Sequence, residues 1–117
     1  MDSYAIGPSS LVGEELNTVS FVMDYVEFVF NGPVLRALTR PVVEIGGTRH
    51  RFPAPGSRDA LCELIGRTVL AVEEQEGDRL ALELTGGAQL TVPLDDDSYL
   101  GPEAMHFCRP DAPMMVW

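Results

Sequence analysis

Between Ser57 and Leu94 the spacing of apolar residues changes once, from threes and fours to twos, and two glycine-bearing turns then cut the alternating part into three runs. Ala60, Leu61, Leu64 and Ile65 fall on one side of a helix, with Asp59 and Glu63 pointing away. Ser57 stands where a hydroxyl would accept amide protons of the first turn, and Asp59 places negative charge at the positive end of the helix dipole. The spacing predicts a helix over about 57–65, closed by Gly66, which takes a left-handed cap conformation without a Cβ clash. From Thr68 the period is two, with Val69, Ala71 and Glu73 on one side and Thr68, Leu70 and Val72 on the other. The polar run 75–78 turns the chain, Leu80, Leu82 and Leu84 alternate with Arg79, Ala81 and Glu83, and Gly86-Gly87 turns it again. Leu90 and Val92 carry a third strand to Pro93, which has no amide proton for a ladder. Such a meander has one apolar face and must bury it against another layer.

The other layer is foreshadowed upstream, where the same pattern recurs about 53 positions earlier. Leu11-Val12-Gly13 stands where Leu64-Ile65-Gly66 stands, and Leu16 and Val19 match Val69 and Val72. After a one-residue gap Val26, Phe28 and Phe30 match Leu80, Leu82 and Leu84, with Asn31-Gly32 in the place of Thr85-Gly86. The fold expected is α+β and mainly antiparallel β: two β-meander repeats, about 9–38 and 57–94, packed on a shared core with one clear helix. A hairpin over 42–52 turns at Gly46-Gly47, closing strands occupy 104–117, and the whole of 1–117 makes a single domain. In the first meander Phe21 and Met23 alternate with Val22 before a turn at Asp24-Tyr25, and Leu35 and Leu38 belong to its third strand. Residues 1–10 read as an irregular lead-in, the PAPG segment at 53–56 as a stiff joint, and Trp117 as a cap on the core.

Charge narrows the partners. The net charge is −10, with twelve acids against four arginines over 57–117 and six against four over 1–56. Long-range repulsion then disfavours nucleic acid and anionic membranes, and no run approaches the ~20 apolar residues of a spanning helix. The first residues lack a basic region followed by an apolar one, so a cytoplasmic chain is expected, with Cys62 and Cys108 as unbridged thiols.

Few residues offer chemistry. Asp95-Asp96-Asp97 lacks the alternate acids, glycine and twelfth-position glutamate of a calcium loop, and reads as a solvated turn. His50, Cys62, His106 and Cys108 make a zinc-compatible inventory, but not at the paired spacing that such sites use, so no metal and no cofactor are expected. Cys108 with His106 or His50 is the one catalytic pairing worth naming, and nothing supplies its third group or an oxyanion hole. Arg36, Arg40, Arg49 and Arg51 form a basic cluster that would either take an anion or pair with the chain's own carboxylates.

The run of Leu-Ile-Gly, valine strand, acidic turn, leucine strand, Gly-Gly turn and the late Gly101-Pro102-Glu103-Ala104 resembles small uncharacterised bacterial single-domain proteins, a likeness that brings no functional residues with it. More loosely, a compact acidic β domain is similar to immunity proteins that mask a toxin. The expectation is a non-catalytic interaction domain with an acidic face for a basic partner or for self-association. The alternative is a small-ligand protein or enzyme with a pocket between two sheets, using His50, His106 and Cys108. A filled core favours the first and a concave pocket holding two of those residues favours the second.

Overall fold

The computed structural model describes residues 7–117, so the first six residues of the expected lead-in lie outside the described residues. Among the described residues ten strands and one α-helix follow a short 3-10 turn at Pro8–Leu11. They are β1 (Thr18–Val22), β2 (Tyr25–Val29), β3 (Val34–Ala37), β4 (Val42–Ile45), β5 (Thr48–Arg51), α1 (Ser57–Cys62), β6 (Val69–Gln75), β7 (Arg79–Leu84), β8 (Ala88–Pro93), β9 (Met105–Arg109) and β10 (Ala112–Val116). All pairing between them is antiparallel, in two five-stranded sheets ordered β1-β2-β3-β9-β10 and β5-β4-β8-β7-β6.

Each meander is extended by the hairpin of the other half. β9 and β10 complete the first sheet beside β3, while β4 and β5 complete the second beside β8. The inward rows therefore correspond: Val19, Phe28, Leu35, Phe107 and Met115 lie side by side across one sheet, and Val72, Leu82, Leu90, Val43 and His50 across the other. Val26, Phe28, Phe30, Leu80, Leu82 and Leu84 are all buried in one cluster drawn from both sheets. Each such side chain withdrawn from water is worth ~1.5–3 kcal/mol.

The seam between the halves repeats at the same offset. Gly13 N donates to Val69 O and Gly66 N to Leu16 O, both at 2.8 Å; Val69 N donates to Glu14 O and Leu16 N to Arg67 O, both at 2.9 Å. Moving each residue by 53 positions turns one pair of bonds into the other, and the isolated bridge Glu15 to Thr68 maps onto itself. Gly13 and Gly66 hold φ of +90° and +91°.

Several local expectations are corrected. α1 stops at Cys62 and the chain continues in turns to Gly66, which leaves Ile65 44% exposed while Leu61 and Leu64 carry the burial. The N-cap is Gly56, at φ 85°; Ser57 is already helical, and its buried hydroxyl has no partner among the described residues. A register shift between Val69 and Ala71 puts Val72, not Ala71 or Glu73, beside Val69 on the core side, because a bulge adds one residue and reverses the alternation. The first hairpin turns at Met23-Asp24, since Tyr25 already pairs with Val22. β3 ends at Ala37, short of Leu38, and the last two strands start at Met105 and Ala112, with Pro113 inside an edge strand where its missing N–H costs no ladder bond.

Edges are tied down on both sides. The Phe21 and Phe52 rings stack at 5.8 Å with the Arg58 guanidinium over both, at 5.8 and 5.0 Å, which fastens α1 to β1 and to the end of β5. Trp117 packs against the core and its indole Nε1 donates to Glu74 Oε2 at 2.9 Å, which fastens the last residue to β6.

Candidate functional site

Pairing across β1, β2, β3, β9 and β10 lines up Ser20, Glu27, Arg36, His106 and Val116 on the outer face of the first sheet. Arg36 Nε donates to Glu27 Oε2 at 2.7 Å, and Arg36 Nη1 lies 2.8 Å from His106 Nδ1. Arginine carries only donors, so Nδ1 of His106 accepts, and its Nε2–H is the donor to Glu103 Oε1 at 2.6 Å. The guanidinium also sits 5.9 Å from the centre of the Tyr25 ring. The Glu27 hydrogen bond is the largest cause that raises the Arg36 pKa above its ordinary value, with burial opposing it.

This row leaves His106 chemically engaged at both nitrogens, with no lone pair for a general base. Cys108 lies two residues away on the same outward face, but no hydrogen bond joins it to His106 among the described residues. His50 is elsewhere: it pairs with buried Val43 at the inner edge of the second sheet, its ring near Gly56. Cys62 lies exposed on α1, and both cysteines are unbridged. Among the described residues no three His, Cys, Asp or Glu side chains converge to hold a metal.

Of the four arginines singled out in the sequence, three come together and Arg36 does not. Arg40 and Arg51 line a hollow of about 180 Å³ with Pro93, Asp97, Ser98 and Leu100. Arg49 and Arg51 line a neighbouring one of about 290 Å³ that also holds Glu44, Asp78, Arg79 and Asp95. Carboxylates are thus interleaved with the arginines, and Arg49 lies 3.8 Å from Glu44.

A different cleft was not read from the sequence. Asp24, Tyr25, Leu38, Leu100, Gly101, Pro102 and Glu103 enclose about 210 Å³ between the β1–β2 turn and the loop before β9. Its two sides, 24–38 and 100–103, are far apart in the chain, and the one local signal was Gly101-Pro102, which marks a turn rather than a wall. Comparison with protein families, with curated proteins and with solved structures found no match.

Proposed function

We propose that the chain is a non-catalytic interaction domain whose acidic surface meets a basic partner. The observation that carries the reading is the β6–β7 hairpin, which exposes Glu73, Glu74, Glu76, Asp78 and Glu83 with Arg79 as its one cation. A field of that sign accelerates encounter with cationic surfaces. Support also comes from the space between the sheets, which Phe28, Leu35, Leu82, Leu90 and Phe107 fill, and from the separation of His50, on the second sheet, from His106 and Cys108 on the outer face of the first. The small-ligand alternative calls for a pocket between the sheets, where these side chains pack against one another.

The test compares the wild type with a Glu73→Gln, Glu76→Gln, Glu83→Gln variant, which spares Glu74 because it holds Trp117. Proteins captured by both are identified, and the on-rate of the basic one is followed by stopped flow as salt rises. The wild-type on-rate is expected to fall steeply with salt and the variant's to start lower and flatter. An on-rate that ignores salt, or a polyanionic partner, refutes the reading. Runs at several chain concentrations report self-association through the β10 edge, where Met114 and Val116 are exposed.

A further inference from the structure

The cleft at the end of the charged row combines features that a solvated surface turn does not need. Leu38, Leu100 and Pro102 give it apolar walls, Tyr25 an aromatic one, and Asp24 and Glu103 bring carboxylates to it. One oxygen of Glu103 is held by His106 at 2.6 Å, which fixes that carboxylate from behind. Asp24 makes no ion pair and no hydrogen bond among the described residues. Around the mouth the chain spends apolar surface on water: Leu100 is 55% exposed, and Met23, next to Asp24, is 93% exposed at a φ of 51° that few side chains tolerate.

An apolar slot ending in carboxylates suits a long aliphatic stem with a cationic head. Arg36, whose guanidinium lies over the Tyr25 ring, is already bound to Glu27 and His106, and Arg40 and Arg51 line a separate hollow that shares Leu100 with the cleft. We infer that this cleft seats an arginine or lysine side chain of a protein partner, with the stem along Leu38, Leu100 and Pro102 and the head between Asp24 and Glu103. The exposed Met23 and Leu100 argue for a macromolecule over a free amine, because an isolated cation would leave that rim uncovered. The inference rests on the acidic-surface reading above and gives it an anchoring point away from the β6–β7 hairpin.

The full chain, labelled with nitrogen-15, is titrated with three probes at fixed ionic strength: N-acetyl-arginine methylamide, acetyl-Leu-Arg-Leu-amide and acetyl-Leu-Gln-Leu-amide. Saturable amide shifts are expected at Asp24, Tyr25, Gly101 and Glu103 with the arginine peptide. The bare arginine derivative should bind more weakly, and the glutamine peptide should lose roughly tenfold in affinity or more. Asp24→Asn, at a site without a partner to lose, should weaken the arginine peptide by a similar factor while leaving the melting temperature unchanged. Leu100→Ser should weaken the peptide more than the bare derivative. Equal binding of the glutamine peptide, indifference to Asp24→Asn, or no shift at millimolar peptide overturns the cleft. Shifts centred on Glu73, Glu76 and Glu83 also overturn it, while leaving the acidic-surface reading in place.

Discussion

Replacing Gly13 or Gly66 by alanine isolates the seam between the two halves. Both residues hold φ near +90°, and a Cβ built on either meets nothing within 4 Å, so the substitution adds no clash and its cost is conformational. Forcing an L-residue into that region costs ~1–2 kcal/mol, and alanine returns ~0.4–1 kcal/mol by stiffening the unfolded chain. The net expectation is about 1 kcal/mol of destabilisation for each. Unfolding entropy of ~2.1 cal/mol/K per residue over a chain of this length makes that a fall in Tm of about 4 °C. Because the bond from Gly13 to Val69 corresponds to the bond from Gly66 to Leu16, both at 2.8 Å, the two losses should agree within about 0.5 kcal/mol. Urea unfolding followed by circular dichroism measures them, and an unchanged m-value shows that the fold is retained. Losses below about 0.3 kcal/mol, or a gap above about 1 kcal/mol between the two, would refute the equivalence of these positions.

Two further outcomes are expected. A double-mutant cycle with Arg36→Met and Glu27→Gln should give a coupling of about 1 kcal/mol, since both side chains are under one-third exposed, at 27% and 22%. The Arg36 pKa is raised in the folded chain, so its contribution is complete below the ordinary arginine value and fades only as pH climbs through the raised one; urea stability attributable to this pair should stay level from neutral to pH ~10. Glu74→Ala removes the acceptor of the Trp117 indole, so the emission of the chain's one tryptophan should move to longer wavelength, and an unmoved spectrum would dissociate Trp117 from β6.

What the sequence made legible was local and periodic. Leu80, Leu82 and Leu84 alternate without interruption, so their burial was readable, and the matching run at Val26, Phe28 and Phe30 pointed to the second wall of the same core. The bulge after Val69 was hidden because Val69 to Val72 are all apolar, and an inserted residue in such a run leaves no polar mark. Ser57 carries a capping side chain one position too late, as the left-handed Gly56 already makes the entry. The exchange of hairpins is a choice between β3 and β8 as neighbours for β9, made by contacts far apart in the chain. The charged row was beyond reach for the same reason, because Arg36 and His106 are 70 residues apart.

The correspondence between the sheets separates what the fold needs from what it carries. Outward of the matched core rows, the first sheet presents Ser20, Glu27, Arg36, His106 and Val116 across its five strands, and the second presents Glu73, Ala81, Thr91, Val42 and Arg51 at the corresponding places. The three central strands thus hold Glu27, Arg36 and His106 in one sheet and Ala81, Thr91 and Val42 in the other. Small neutral side chains suffice at those places for the same pairing, so the fold does not require the charges. They need another reason, because ordering two long side chains and withdrawing an ion pair from water offsets most of what the pair returns. The row ends at Glu103, whose carboxylate it holds at the wall of the cleft. A positioned carboxylate is pre-organised for a cation, which lowers the ordering cost at the moment of binding.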